Sequence, residues 1–324
     1  SPNDFSIDNY NKLNIKITSA GLEAKIKELR KPNLSKINYI RSLPFFKRTL
    51  NEVKPDLVHA HYASSYGLIG FLSGFKPFIL SVWGSDIYHF PFTSFLAKFL
   101  LKKVLNGSSE VCSTSYEMKK ITENICYRND IKVIPFGIDT KFFKPINNLQ
   151  EKFTVGTIKS IEDHNGIDCL LDAASIVLNK YKKDINFLIV GDGSLKSYME
   201  QKAIDLGIEK SVRFTGYIPH EEIIKYYNML SIFIAVSTRE SFGVSILEAG
   251  ACGVPSITSN IGGLKEVNKN NYTGKIIAPD DAKILAKEIV NLYENEKIKK
   301  KLGENARRRV KKKFEWNENV NQMI

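Results

Sequence analysis

Short apolar runs rich in β-branched residues alternate with longer amphipathic stretches along the whole chain. This alternation predicts parallel sheets covered by helices, because parallel strands need crossover connections. Strands are predicted at 13–18, 56–61, 77–83, 110–115, 131–136, 152–158, 186–192, 212–217, 232–237, 255–260 and 274–279. The clearest helical patterns lie at 166–183, 221–230 and 282–295. An α/β fold is therefore expected.

The alternation is interrupted once, at 134–153, where a polar segment shows no periodicity. A chain of 324 residues is expected to form two domains, at about 100–200 residues each. We predict two doubly wound, Rossmann-like domains, at 1–140 and 141–312, and a helix beginning in 313–324 that crosses back to the first domain. Ligands of such sheets bind beyond the carboxyl ends of the strands, so a cleft between facing domains is the expected binding place.

The composition narrows the choice of partners. The net charge of +12 favours anionic partners, such as phosphorylated substrates, an anionic membrane surface or nucleic acid. No zinc-finger or RNA-recognition pattern supports nucleic acid. No apolar run reaches the roughly 18 residues of a membrane span, and no signal peptide is visible, so a cytosolic protein is expected. The cysteines have no C-x-x-C spacing and are predicted to be free thiols: Cys112, Cys126, Cys169 and Cys252.

The stretch "RESFGVSILEAGACGVP" (239–255) places two carboxylates at the start of a predicted helix. Ser237 or Ser241 is predicted to cap this helix, with Gly243 in its first turn. The helix N-terminus suits a phosphate, and eight helical residues separate Glu240 and Glu248 by about 12 Å. Such carboxylates suit the hydroxyl groups of a sugar and a ribose.

A purely structural explanation of these two glutamates is equally good on spacing alone. Glu240 would then be an acid favoured by the helix dipole, and Glu248 a solvated helix residue.

Several motifs together resemble the retaining family 4 glycosyltransferases, which have the GT-B fold. The segment at 237–267 resembles their E-x7-E signature, and the similarity continues through 273–293. The segments "IVGDGS" (189–194), "VRFTGYIP" (212–219) and "VIPFGIDTKFF" (133–143) resemble further parts of that family. In the first half, "DLVHAHY" (56–62) and "LSVWGSD" (80–86) resemble its H-x-H and T-x-H-G-x-D loops.

The resemblance implies a role for individual residues. Glu240 would contact hydroxyls of the donor sugar, and Glu248 would hold the ribose hydroxyls of the nucleotide. Backbone amides around Phe242, Gly243 and Val244 would bind the diphosphate at the helix N-terminus. His61 would lie near the donor sugar from the other wall of the cleft. Its neighbour His59 is interpreted as a hydrogen-bonded residue at a strand end.

The sequence departs from the family pattern at three places. The usual phosphate loop becomes "VGTIKSIEDHNG" (155–166), in which Lys159 is the only permanent cation. Lys159 is therefore predicted to bind the diphosphate, with His164 as a weaker candidate and an exposed lysine as the alternative. Trp83 stands where the family has histidine, and Trp83 and Asp86 are assigned to the acceptor side. The family's first strand and glycine-rich loop are expected to be missing.

The chemistry implied by the resemblance needs neither a metal nor a cofactor. No D-x-D carboxylate pair is found. Lys159, the backbone amides and the helix dipole would stabilise the leaving diphosphate electrostatically. The nucleotide-diphosphate sugar is the donor substrate, and retention of configuration is implied by the family alone.

Two basic stretches have two explanations each. The segment 91–105 carries Phe92, Phe95, Leu96, Phe99 and Leu100 at helical spacing beside three lysines. A membrane-surface helix has this composition, and so does a helix packed on its sheet with its lysines in water. The more basic segment 297–314 is either a solvated helix face or a site of attraction to anionic lipids.

The leading hypothesis is a glycosyltransferase of cell-surface polysaccharide assembly with a glycan or lipid-linked acceptor. It is expected in the cytoplasm, at the inner face of the plasma membrane, with no nucleic-acid partner. A GT-B-fold nucleotide-sugar epimerase, which needs no acceptor, is the second enzyme hypothesis. A polyanion- or membrane-binding module without enzymatic activity is the third hypothesis. A dinucleotide dehydrogenase is weaker, because "GDGSLK" (191–196) lacks the third glycine of G-x-G-x-x-G.

Overall fold

The computed structural model describes residues 39–147, 149 and 152–322. The chain forms two compact units, and each is described by itself. The first comprises residues up to 112 together with 121–131, and the second comprises 113–120 and the residues from 132 onward. The domain boundaries expected from the sequence, 1–140, 141–312 and 313–324, stay a prediction. The predicted strand at 13–18 lies outside the described residues.

The strands are short, as expected for buried parallel sheets. They are β1 Val58–His61, β2 Phe78–Val82, β3 Glu110–Ser113, β4 Lys132–Val133, β5 Thr154–Ile158, β6 Asn186–Val190, β7 Val212–Phe214, β8 Ile232–Ala235, β9 Ser256–Ser259 and β10 Gly274–Ile277. Each lies inside one of the predicted ranges.

The helices lie before, between and after these strands. They are α1 Leu43–Val53, α2 Tyr66–Ser73, α3 Ser85–Tyr88, α4 Phe95–Gly107, α5 Tyr116–Cys126, α6 Ile167–Ser175, α7 Lys196–Asp205, α8 Ile223–Met229, α9 Val244–Ala251, α10 Leu264–Val267, α11 Ala282–Glu294, α12 Glu296–Lys313 and α13 Trp316–Asn321. The helix predicted at 166–183 is only partly α-helical, since α6 continues as a π-helix over Ile176–Lys180.

The first sheet has the strand order β1-β2-β3-β4. In the first unit, β1 runs parallel to β2, with Val58 opposite Phe78 and His61 opposite Ser81. Both strands therefore end at the same edge of the sheet, which places the residues after His61 beside those after Val82.

The second unit contains a six-stranded sheet in the order β10-β9-β8-β5-β6-β7. Its paired strands are parallel. This is the strand order of the doubly wound Rossmann fold, and it reverses direction between β5 and β8. The predicted α/β class is confirmed.

Alternation of side chains along the strands builds two cores in the second unit, one on each face of the sheet. In β6, Phe187 and Ile189 enter one core, whereas Leu188 and Val190 enter the other. A strand buried on both faces must be apolar along its buried length, which explains the continuous run "FLIV" (187–190).

The segment read as a linker, 134–153, packs against the C-terminal helices where it is described. The Ile138 N–H donates to the Phe314 carbonyl at 2.7 Å, and the Trp316 N–H donates to the Ile138 carbonyl at 3.1 Å. A Cβ on Gly137 would lie 2.7 Å from the Trp316 Cα, so a larger residue would separate the two segments.

Candidate active site

A cavity of about 350 Å³ opens in the second unit, where the strand order reverses. It is lined by the loops that leave β5 and β8 and by the start of α9. The lining residues are Phe136, 158–160, His164, Asn165 and 240–245. Crevices at this point of a doubly wound sheet are the usual ligand sites.

Lys159 and Glu240 meet at this cavity. The Lys159 Nζ donates to Glu240 Oε2 at 2.6 Å and to Ser237 Oγ at 2.8 Å. Both charged side chains are largely buried. Two residues predicted from separate motifs, 81 positions apart, therefore form one ion pair.

The start of α9 differs from the prediction in its cap. The helix begins at Val244, the preceding Gly243 has a φ of 99°, and no side chain caps the first turn. The predicted capping by Ser237 or Ser241 is therefore wrong. The Ser237 hydroxyl instead accepts a hydrogen bond from the Lys159 ammonium. Glu240 precedes the helix, so the estimate of 12 Å along a helix between Glu240 and Glu248 does not apply.

The residues predicted to bind the diphosphate all line the cavity. The Ile246 N–H donates to the Gly243 carbonyl at 3.1 Å, which is the first bond of the helix. Backbone N–H groups ahead of such a bond generally have no partner within a helix, and they carry its partial positive charge. The side chain of Phe242 is buried, with its ring 5.7 Å from that of Phe136 and 6.0 Å from that of Phe314. Phe242 therefore contributes its backbone to the cavity and its ring to the core.

Gly262 and Gly263 support the Glu240 loop, a role that the sequence reading missed. A Cβ on Gly262 would lie 2.0 Å from the Glu240 carbonyl oxygen, and one on Gly263 would lie 2.3 Å from the Ser241 carbonyl oxygen. The loop after β9 thus packs directly on the backbone that carries Glu240. Two adjacent glycines after a predicted strand were the signal for such a close approach.

Glu248 lies on α9 and is only 12% exposed, so the solvated alternative is wrong. The Tyr227 hydroxyl donates to Glu248 Oε2 at 2.5 Å, and His220 Nε2 lies 3.8 Å from Oε1. Burial and the Glu248 charge raise the pKa of the fully buried Tyr227 well above its usual value, so its phenol keeps the donated proton. The Glu248 carboxylate also raises the pKa of His220.

Tyr227 and His220 were missed because a buried tyrosine and a loop histidine have no motif spacing of their own. Only their contacts with Glu248 in the folded chain identify them as members of the site.

The first unit holds a second set of predicted residues at the ends of β1 and β2. His59 Nε2 is 2.8 Å from Ser81 Oγ, which supports the interpretation of His59 as a hydrogen-bonded strand residue. The His61 ring lies 4.4 Å from the His59 ring and 4.6 Å from the Trp83 ring. Its buried Nδ1 has no hydrogen-bond partner among the described residues. Burial and then the neighbouring His59 lower the pKa of His61 to about 4, which leaves a neutral imidazole near pH 7.

Asp86, which the resemblance assigns to the acceptor side, is fully buried, so its carboxylate makes its contacts within the protein. Its carboxylate accepts the N–H groups of Ala63 at 2.9 Å, Gly84 at 2.8 Å and Trp83 at 3.3 Å. These bonds tie the loop after β1 to the loop after β2. Asp86 therefore positions the backbone beside His61 and Trp83 rather than facing a ligand.

The remaining residues considered from the sequence are His164 and the four cysteines. His164 lines the cavity, and its carbonyl accepts the Thr238 N–H at 2.9 Å. The four cysteines are buried free thiols, as predicted, and burial raises the pKa of Cys169 and Cys252 to about 12. Among the described residues, no three His, Cys, Asp or Glu side chains are arranged to hold a metal ion. No helix within these ranges has the length and hydropathy of a membrane span.

Two family models match the sequence. The model of glycosyl transferases group 1 matches residues 139–309, and that of glycosyl transferase 4-like proteins matches residues 8–115. The first alone covers more than half of the chain.

Two curated relatives are similar to this chain over most of its length. An uncharacterized glycosyltransferase of Methanocaldococcus jannaschii is 28% identical over 293 residues, covering 88% of this chain and 80% of its own. The capsular polysaccharide biosynthesis glycosyltransferase CapM of Staphylococcus aureus is 27% identical over 311 residues, covering 88% of this chain and 79% of its own.

Solved structures share the fold at lower identity. Sucrose-phosphate synthase of Thermosynechococcus elongatus superposes with a TM-score of 0.80 at 21% identity, covering 89% of this chain and 77% of its own. Anabaena HepE in complex with UDP-glucose gives a TM-score of 0.76 at 21% identity, covering 87% of this chain and 80% of its own. The chain belongs to the group 1 glycosyl transferases and is a glycosyltransferase with the GT-B fold.

Proposed function

We propose that this glycosyltransferase moves a sugar from a nucleotide-diphosphate sugar to a glycan or lipid-linked acceptor, with retention of configuration and without a metal. The Lys159–Glu240 pair at the mouth of the cavity carries the proposal. It places a cation for the diphosphate and a carboxylate for the sugar next to the N-terminus of α9.

The donor is assigned to the second unit. Its diphosphate lies at the N–H groups of 242–244, where the helix dipole and Lys159 favour negative charge. Glu240 accepts hydrogen bonds from sugar hydroxyls, and Glu248 accepts them from the ribose. Tyr227 keeps Glu248 oriented, because its proton occupies one of the two carboxylate oxygens.

Charge develops on the diphosphate as the glycosidic bond to it breaks. Lys159 and the helix N-terminus stabilise this charge in place, so the step requires neither a metal nor a cofactor. In the first unit, neutral His61 offers a hydrogen-bonding nitrogen beside Trp83. We assign His61 to the donor sugar and Trp83 to the acceptor side.

Polysaccharide biosynthesis is the process that we assign to this activity. CapM is named as a capsular polysaccharide enzyme, and another relative, TuaC of Bacillus subtilis, is named as a putative teichuronic acid biosynthesis glycosyltransferase. The proposed location is the cytoplasm, with contact at the inner face of the plasma membrane through 91–105 and 297–314.

The family match gives no support to the epimerase or to a module without activity. Retention stays an implication of the resemblance, and NMR of the product anomer tests it directly.

The deciding experiment is a calorimetric screen of UDP-, GDP- and ADP-sugars, followed by transfer assays with the donor that binds. The HepE complexes make UDP-glucose the first compound to test. We expect binding of one donor in the micromolar range, and loss of transfer in Glu240→Ala and Glu248→Ala with the fold retained. Near wild-type turnover in both variants would refute the assigned site, and free epimerised sugar without acceptor would favour the epimerase.

A further inference from the structure

The helix α4 exposes aromatic side chains that the fold does not use. Phe92 is 71% exposed, Phe95 88%, Leu96 51% and Phe99 47%. We call these four residues the aromatic face of α4. On α4, Phe95 and Leu96 lie four and three positions before Phe99, so these three side chains lie on one side of the helix. Phe92 belongs to the short helical turn that precedes α4.

The opposite face already anchors this helix in the first unit. Ala97, Leu101, Val104 and Leu105 are fully or almost fully buried. The Ser94 hydroxyl caps the N-terminus by accepting the Ala97 N–H at 3.1 Å. The aromatic face is therefore held in place by a folded helix, and its exposure is not a consequence of a loose segment.

Lysines accompany the aromatic face along the helix. Lys98 and Lys103 are exposed, and the Lys103 Nζ lies 5.5 Å from the centre of the Phe99 ring. The Lys102 Nζ lies 4.3 Å above the ring of Tyr127, another exposed aromatic residue. No Asp or Glu occurs between Asp86 and Glu110 in the sequence.

We propose that the aromatic face of α4 inserts into the interface of an anionic lipid bilayer while Lys98, Lys102 and Lys103 contact the lipid headgroups. Aromatic side chains gain from partial burial among acyl chains, and flexible lysines reach the headgroup phosphates alongside them. A large apolar patch rimmed by one sign of charge is the pattern of such a surface.

The second basic helix has a different role in this arrangement. In α12 the apolar residues Leu302, Ala306 and Val310 are buried, and the exposed residues are mostly lysines and arginines. This helix offers charge without an inserting face. It offers salt-sensitive attraction to anionic lipids, whereas α4 supplies the insertion.

The experiment uses the full chain and vesicles of phosphatidylcholine with or without about 30% phosphatidylglycerol. We expect flotation with the anionic vesicles and little with the neutral ones. Phe95→Ser/Phe99→Ser should lower the partition coefficient at least about tenfold. Tyr198→Ser, which removes an exposed aromatic ring from a helix of the second unit, should leave it unchanged.

A second readout reports insertion itself. Phe95→Trp should show a blue-shifted emission on adding anionic vesicles, and Tyr198→Trp should not. Lys98→Gln/Lys103→Gln should weaken the preference for anionic over neutral vesicles.

Several results would overturn the proposal. These are no flotation of the wild type, flotation that survives Phe95→Ser/Phe99→Ser, or a blue-shifted Phe95→Trp emission before vesicles are added, which would mean that protein covers the face. A concentration-dependent dimer in light scattering that the same double variant abolishes would assign the face to a second copy. Vesicle binding is measured without donor or acceptor, so its failure leaves the proposed transfer reaction standing.

Discussion

Lys159 and Glu240 form an ion pair in the cavity, and this pairing determines how each side chain is positioned. Their mutual attraction fixes both long side chains, so a donor meets a preformed arrangement. Removing one partner leaves the other charge largely buried and unpaired, which costs more than removing both. In the proposed mechanism, the pair also shares its hydrogen bonds with the incoming sugar and diphosphate.

The two roles of this pair can be separated with single and double variants. Lys159→Gln and Glu240→Gln should each lower kcat/KM by about a hundredfold or more, because the proposed mechanism places both side chains at the reacting groups. The double variant should regain thermal stability relative to either single variant without regaining activity. Ser237→Ala, which keeps both charges, is the control and should lose much less. A double variant with near wild-type kcat/KM would limit the pair to structure.

Tyr227 is expected to act through Glu248. Tyr227→Phe removes a hydrogen bond to a charged group and should cost about 1–3 kcal/mol of unfolding free energy. Donor affinity should fall about fivefold to tenfold because Glu248 loses its orientation, with a smaller change in kcat. Calorimetry and thermal denaturation measure these effects, with Tyr226→Phe as the neighbouring control.

A nucleotide lacking ribose hydroxyls distinguishes orientation from general damage. With a deoxyribose donor, the affinity difference between Tyr227→Phe and the wild type should shrink towards zero. An undiminished difference would contradict a ribose-binding role for Glu248.

Two histidines should titrate on opposite sides of the ordinary value of 6.5. His61 is expected near 4, because of burial and then His59, and His220 above 6.5, because of Glu248. The lowered pKa of His61 gives stability that is present above pH 6.5 and lost as the pH falls towards 4. The raised pKa of His220 gives stability that is complete below 6.5 and lost as the pH rises through its folded value. Ring-proton NMR, assigned with His61→Gln and His220→Gln, measures both pKa values, and coincident titration near 6.5 would contradict them.

At the scale of elements, glycines allow the loop after β9 to pack closely against the backbone of the Glu240 loop. Gly263 has a φ of −71°, which alanine adopts without strain, but a Cβ there would meet the Ser241 carbonyl oxygen at 2.3 Å. Gly207 has a φ of 66° and open space around its Cβ position. Alanine at Gly263 would therefore test the close approach of two backbones, and alanine at Gly207 would test backbone strain alone.

Gly263→Ala should displace the Glu240 loop and reduce donor affinity, whereas Gly207→Ala should cost only about 1 kcal/mol of stability and leave affinity unchanged. Calorimetry with the bound donor and thermal denaturation give the two numbers. Equal losses of affinity in both variants would show that general destabilisation, and not loop position, is responsible.

The strands were predictable from the sequence because buried parallel strands must be short and apolar, as "FLIV" (187–190) illustrates. The start of α9 was not, since tertiary contacts draw Ser237 away from capping. The Lys159–Glu240 and Tyr227–Glu248 contacts join positions 81 and 21 residues apart. Periodicity and spacing carry no information about such pairs, and the resemblance identified only one member of the second pair.

At the scale of the whole molecule, the excess of 12 positive charges places a nucleotide-diphosphate sugar in an attractive field. Such a field raises the rate of encounter and is weakened by salt. Raising the ionic strength from about 50 to 500 mM should therefore increase the KM for the donor more than it changes kcat. Initial-rate measurements at both salt concentrations test this, and an unchanged KM would mean that only contacts inside the cavity matter.

The same excess bears on how the charge of the departing diphosphate is balanced. If Lys159 and the N-terminus of α9 supply that balance, chelation of divalent ions should leave kcat within about twofold of its value in their presence. Lys159→Gln should lose activity equally with EDTA, Mg²⁺ or Mn²⁺, because no metal occupies the place of the missing ammonium. Transfer by the wild type that stops in EDTA and returns with Mg²⁺ would instead assign the diphosphate to a metal. Rescue of Lys159→Gln by Mn²⁺ would show that a metal can replace the lysine in stabilising the charge of the diphosphate. Ser237→Ala, assayed under the same conditions, keeps the ammonium and should be insensitive to chelation like the wild type.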